Sequence, residues 1–150
     1  MRFFVLFAAA LVIAAPSFAS DKTDAAAPIH QFIDSLNKGD VQSAGAVYAP
    51  DASILDDFPP HYWHGATAFA DWNRDLTTSM QQGGGTDLVV KLGKPRHLDV
   101  TGDRAYAVFP SSLSYKVKGK TIHENGSTMT FALAKLADGW RIAAWCWAQH

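Results

Sequence analysis

Apolar residues first recur at helical spacing after Pro28. Ile29, Phe32, Ile33 and Leu36 fall at i, i+3, i+4 and i+7, which puts them on one face of a helix. Pro28 suits the first turn of that helix, and Asn37-Lys38-Gly39 reads as its stop. Residues 20–27, polar and rich in alanine, read as a lead-in outside it. Asp40 can cap a second short helix with Val41, Ala44 and Val47-Tyr48 inward, ending at Pro50. A strand is expected over Ala52 to Phe58, closed by Pro59-Pro60, because neither proline can donate to a ladder. Phe69, Trp72, Leu76 and Met80 then predict a third helix, which the Gly83-Gly84-Gly85 run ends.

From Leu88 onward the period changes to two. Leu88, Val90 and Leu92 alternate with other residues, and so do Tyr106 and Val108, and Met129, Phe131 and Leu133. Ser112 to His123 reads as a hairpin around Lys118-Gly119, and Trp140 to Trp147 as a last strand after an Asp138-Gly139 turn. Helices first and a meandering sheet afterwards predict an α+β fold, with the helices on one face of the sheet.

The first 19 residues stand apart from this pattern. Arg2, the apolar run Phe3 to Ala15 and the small-residue site Ser17-Phe18-Ala19 have the layout of a secretory leader. The run breaks at Pro16, too short for a membrane span, which needs about 20 apolar residues. The expectation is cleavage after Ala19, a single domain over 20–150, a periplasmic or secreted location, and no membrane association once the leader is gone.

Composition narrows the function. The formal charge is −1, and more negative once Arg2 is removed, with no basic cluster of the kind nucleic acid requires. Hydrophobic content of 48% and aromatic content of 12% can supply a packed core, which excludes disorder. Cys146 is the single cysteine, so neither an internal disulfide nor CxxC chemistry is available, and its place between two tryptophans predicts a buried, inert thiol. No Ser-His-Asp order of a hydrolase can be read. Gly83 to Gly85 follows a helix, so it is no phosphate loop. Asn125-Gly126-Ser127 matches a glycosylation sequon, which matters only in a eukaryotic secretory pathway.

Candidate chemistry centres on Asp56. It either caps a turn before Phe58-Pro59-Pro60 or presents a carboxylate to a pocket. Strand alternation would let at most one of Asp56 and Asp57 face inward, so no paired-carboxylate site is expected. His61 and His64 would suit a metal only on a helix, and the two prolines before them predict a loop; no metal is assigned. On a regular strand Trp145 and Trp147 share one face, and Trp140 and Cys146 the other. The indoles belong either to a pocket wall or to a core or dimer interface.

The segments Phe32-Ile33-Asp34-Ser35-Leu36-Asn37-Lys38-Gly39-Asp40, Tyr48-Ala49-Pro50-Asp51-Ala52-Ser53-Ile54, Trp63-His64-Gly65 and Asp138-Gly139-Trp140-Arg141-Ile142 follow one another at telling distances. Together they resemble the NTF2-like superfamily, and within it the bacterial SnoaL-like proteins, over residues 28 to 148. The resemblance implies an NTF2-like cone, three N-terminal helices packed on a curved antiparallel or mixed sheet, often dimeric through the sheet's outer face. It does not imply one function, since isomerases, cyclases, dehydratases and transport adaptors share the cone.

Laid on the ketosteroid isomerase branch, Asp51 to Asp56 puts Asp56 at the general-base position. Phe32 stands where that branch has a tyrosine donor, and the stretch around Thr130-Phe131 lacks its second, acidic donor. Without those oxyanion donors steroid isomerase activity is not expected. In the dehydratase branch histidines line the cone, and His123 would be the counterpart here, paired with Asp56. The expected pocket wall is Phe32, Tyr48, Trp63, Trp72, Tyr106, Phe131, Trp145 and Trp147. No cofactor is expected, and the partners are a small molecule and a second copy of the chain. Three functions stay open: a binder of a small apolar or aromatic molecule, a cofactor-independent isomerase, dehydratase or cyclase with Asp56 as base, and an interaction module.

Overall fold

The computed structural model describes residues 18–149, with side chains from Asp21 onward. The predicted leader lies outside the described residues apart from Phe18 and Ala19. The chain runs α1 (Phe18–Asn37), α2 (Val41–Gly45), β1 (Tyr48–Leu55), β2 (Tyr62–Gly65), α3 (Ala68–Gln82), β3 (Gly85–Leu92), β4 (His97–Thr101), β5 (Arg104–Val117), β6 (Lys120–Leu136) and β7 (Gly139–Ala148).

The first helix begins ten residues earlier than its expected start at Pro28. Ala25 is fully buried and Ala26 nearly so, which extends the stripe of Ile29, Phe32 and Ile33 upstream. Alanine is the best helix former, and that stripe holds the helix together through the interior Pro28, whose missing N–H costs one intrahelical bond. Asp40 caps α2 as expected, its Oδ1 accepting from the Ser43 amide at 3.0 Å. That helix ends at Gly45, well before Pro50, and Val41 points outward with 47% of its surface exposed. The chain leaves it early because the Val47 carbonyl accepts from the Ile142 amide at 2.9 Å, which draws the next residues into the sheet.

The sheet has the order β2-β1-β7-β6-β5-β3, with β4 also paired to β5. Only β1 and β7 run parallel, so the sheet is mixed. Strands β3 and β4 pair with successive halves of β5, and β4 had no expectation in the sequence. Its pattern of half-buried Leu98 and Val100 between exposed residues is only five residues long. The segment expected as a loop around His61 to His64 is partly strand: β2 pairs with β1 and places Trp63 opposite Ile54.

Helices α1 and α3 pack on the inner face of this sheet. Phe32 from α1, Ile54 from β1, Phe109 from β5, Phe131 and Leu133 from β6 and Ile142 from β7 are almost completely buried there. Each such side chain contributes roughly 1.5–3 kcal/mol by leaving water.

Two irregularities set which residues face inward. Between β6 and β7 the register shifts so that Leu133 pairs with Ile142 while Ala132 pairs with Ala144, leaving Ala143 as an extra residue. This bulge brings Trp140 and Ile142 onto the same inner face as Trp145 and Trp147. The expected partition, with Trp140 beside Cys146, is therefore corrected. Cys146 lies half-buried on the other face rather than fully buried, with burial raising its thiol pKa. Between β5 and β6 the register shifts at Gly126, whose φ of +88° suits glycine. Ser127, Met129 and Phe131 point inward above this bulge, and Glu124 below it.

Candidate functional site

The inner face and the two helices enclose a cavity of about 300 Å³. Of the wall residues named from the sequence, Phe32, Trp72, Trp145 and Trp147 line it. Phe32 lies at the centre of an aromatic cluster, with ring centroids 6.1 Å from Trp72 and 5.9 Å from Trp145. Ile33, Leu36, Leu76, Met80 and Leu113 complete the apolar wall.

Asp56 stands at the rim of this wall. Its Oδ2 accepts from Trp72 Nε1 at 2.8 Å, and its Oδ1 from the Asp57 amide at 2.8 Å. Burial pushes its pKa up to about 6. The two hydrogen bonds pull against that shift, and the nearby Asp57 charge adds to it. Both sequence readings of Asp56 thus meet in one residue: one oxygen closes a local turn, and the carboxyl lines the cavity.

Asp57 lines the same cavity, contrary to the expectation that only one of the pair would. Strand alternation fails here because β1 ends at Leu55. The residues after it turn back, with the Asp56 amide donating to the His61 carbonyl and the His61 amide to the Phe58 carbonyl.

Glu124 is a third acid at the cavity. It was missed because regular alternation from Phe131 and Met129 would bring His123 inward, and the Gly126 bulge substitutes its neighbour. His123 is exposed, opposite Ser114, and is withdrawn as a candidate. Glu124 Oε1 accepts from the Tyr115 hydroxyl at 3.1 Å, and its Oε2 lies 3.5 Å from Gln149 Nε2. The same Gln149 nitrogen donates to Asp57 Oδ2. Tyr115, Glu124 and Gln149 carried no sequence signal, because their roles depend on the bulge and on the path of the chain after β7.

Four other expected wall residues lie elsewhere. Tyr106 is 48% exposed on the outer face, 5.8 Å from the His97 ring, since inward positions on β5 fall to Ala105 and Ala107. Phe131 is fully buried against Phe109 beneath the cavity. Trp63 packs on Phe58 and donates from Nε1 to Asp75 Oδ2 at 2.9 Å, fastening β2 to α3. Tyr48 sits behind the wall, its hydroxyl accepting from Trp145 Nε1 at 2.7 Å, and burial raises its pKa well above the usual phenol value.

The histidines near the rim have local partners. His61 Nδ1 is 3.1 Å from the Asp56 carbonyl oxygen. His64 contacts Ser53 Oγ at 3.0 Å and Asp51 Oδ1 at 3.3 Å on the outer face. β1 is paired at Ser53 on both sides, so among the described residues this Ser-His-Asp contact has no free strand edge at Ser53 to serve as an oxyanion donor. Asp51, 82% exposed, would also orient the imidazole weakly.

A curved mixed sheet closed by two helices around one aromatic cavity, with an acid at its rim, defines an NTF2-like α+β domain. Residues 26–146 match the SnoaL-like domain, and the chain belongs to that family. No functionally curated protein matches the sequence. Among solved structures, an NTF2-like protein with a cystatin-like fold from Novosphingobium aromaticivorans superposes with a TM-score of 0.72 at 18% identity, covering 89% of this chain and 84% of that one. An NTF2-like superfamily protein from Salmonella enterica gives 0.70 at 19% identity, covering 87% and 92%. A ketosteroid isomerase-like protein from Erwinia carotovora gives 0.68 at 18% identity, covering 88% and 98%. At these identities the likeness is one of fold.

Proposed function

We propose that this domain binds a small apolar or aromatic molecule in its cone, with Asp56 anchoring the polar end. The observation that carries this reading is a cavity of about 300 Å³, walled by Phe32, Trp72, Trp145 and Trp147, with a carboxyl of raised pKa at its rim. That volume stands at the lower end of the range for small-molecule sites, roughly 300–1,000 Å³. An interaction module would need no such cavity, so this reading takes precedence over a purely structural one. We place the protein outside the cytoplasm as a homodimer, on the leader-like first 19 residues and the family resemblance.

Native mass spectrometry of the protein from its source organism tests the binding reading. A small adduct that survives native spraying and vanishes on denaturation supports it, and hands over a molecule to identify. The absence of any adduct, together with no cavity signal in titrations with small aromatics, counts against it.

A second reading is favoured by one feature of the site. A carboxyl with a pKa of about 6 is suited to exchange a proton with a bound carbon acid near neutral pH. An acid–base enzyme of this kind would lose nearly all turnover in Asp56→Asn, whereas a binder would show no turnover in either form and only a weaker hold on the ligand's polar end.

A further inference from the structure

The rim of the cavity is charged with one sign. Asp56, Asp57 and Glu124 all line it, and among the described residues no lysine, arginine or histidine does. Several cations pair with acids away from the cavity: Arg74 with Asp71 and Asp75, Lys116 with Asp87 and Arg141 with Asp138. The three rim acids are unlike a metal cage: among the described residues no three acidic, histidine or cysteine side chains converge closely enough to hold an ion. They are spread around an opening walled by indole, phenyl and aliphatic side chains, with the N–H edge of Trp72 turned to Asp56. A carboxylate rim on an apolar cavity suits a ligand with a positive end and an apolar body. The acids supply charge to the one, and the wall takes the other out of water.

We infer that the molecule held in this cavity is an amine, with an apolar or aromatic body against the tryptophans and a protonated nitrogen at the Asp56–Asp57–Glu124 rim. This rests on the ligand-binding reading above and names its chemical class. Gln149 shows how the rim handles a nitrogen donor, since its side-chain NH2 lies between Asp57 Oδ2 and Glu124 Oε2. An ammonium is a stronger donor to those acceptors than a neutral amide. Gln149 is exposed and follows the end of β7, so it can yield its place to a ligand without disturbing the sheet. A carboxylate-bearing ligand of the same shape would meet like charge at all three positions.

The test compares three probes of nearly equal size and different charge: phenethylamine, phenethyl alcohol and phenylacetate. Each is titrated into the purified protein while the indole N–H signals of Trp72 and Trp147 are followed by NMR. The expected result is that the amine binds about 10-fold tighter than the alcohol, the factor that about 1.4 kcal/mol of charge recognition corresponds to. Phenylacetate should bind weakest. Asp57→Asn and Glu124→Gln, both at the rim and outside the core, should each lower the affinity for the amine more than that for the alcohol, and so reduce the preference for the amine.

Equal affinity for amine and alcohol, or a preference for phenylacetate, would overturn the amine assignment and leave the cavity reading standing. An amine preference that persists undiminished in both variants would overturn it as well. If none of the three probes moves the cavity indoles, the ligand-binding reading fails, and this inference with it.

Discussion

Replacing Asp56 by asparagine removes one ionisable proton and leaves the shape of the side chain nearly intact. The structure fixes how stability should respond to pH. In the folded protein Asp56 has a pKa of about 6, against an ordinary value of 3.8, so the folded state holds the proton more tightly than the unfolded chain. The stabilisation from that proton is fully present below pH 3.8 and is lost as pH rises through 6. The shift corresponds to ~3 kcal/mol over the whole window, of which about 2 kcal/mol falls between about pH 4.5 and 7.5.

Asparagine cannot titrate, and it meets two donors, Trp72 Nε1 and the Asp57 amide, with only one acceptor oxygen. The variant therefore loses a hydrogen bond worth ~1 kcal/mol at every pH, while sparing the cost of a buried charge above pH ~6. Urea denaturation of both proteins at about pH 4.5 and 7.5 reads the difference directly. About 1 kcal/mol of the wild-type stabilisation is already lost by the lower pH and offsets the lost hydrogen bond, so the two proteins should be about equal there, and the variant should be ~2 kcal/mol more stable at the higher pH. A wild-type-minus-variant difference that stays within ~0.5 kcal/mol across that range would refute the desolvation of Asp56. The comparison with the variant cancels the opposite contributions of the exposed Asp40, Asp71 and Asp75, whose pKa values are lowered.

Other consequences can be checked in the same preparation. Tyr48→Phe leaves the Trp145 indole N–H without its acceptor and should cost about 1–3 kcal/mol in denaturant titrations, with the cavity's ligand affinity changed little. Phe109→Ala empties a fully buried site on β5 and should cost about 3–5 kcal/mol, seen as a large fall in the denaturation midpoint. Thr130→Lys, at the middle of the outer face beside Cys146, should convert the proposed homodimer to a monomer in light scattering without unfolding it. A wild-type protein that is already monomeric would remove the outer face as the proposed interface.

The fold was legible because helical and strand periods are long and strong here. Phe69, Trp72, Leu76 and Met80 predicted α3 closely, and Lys118-Gly119 and Asp138-Gly139 marked both hairpin turns. The start of α1 is hidden in the sequence because Ala25 and Ala26 are buried without being bulky, and because Pro28, which suits a first turn, lies inside the helix. The site was half legible. Asp56, Phe32, Trp72, Trp145 and Trp147 followed from bulk, period and resemblance. Glu124 and Asp57 did not, since each sits at or beyond a break in strand alternation, where period-two reasoning gives the wrong face. Tyr106 failed for the opposite reason: an aromatic on a strand was assumed to face inward, and its smaller neighbours Ala105 and Ala107 hold that face.

The bulge at Gly126 gives the cone an unusual route to new chemistry. Whether residue 123 or 124 enters the cavity depends on one backbone residue several positions away, and the two candidates are an imidazole and a carboxylate. A β-branched residue at 126 would disfavour the φ of +88° that the bulge uses, and regular alternation from Phe131 through every residue would then bring His123 inward in place of Glu124. Deleting Gly126 would instead remove the extra residue and keep Glu124 inward. A lineage carrying such a bulge can therefore try out a different titratable group through one substitution at a position outside the cavity wall, and return by the reverse change. Variety of reactions on a constant cone would then arise as readily from a backbone position in a strand as from substitutions in the wall.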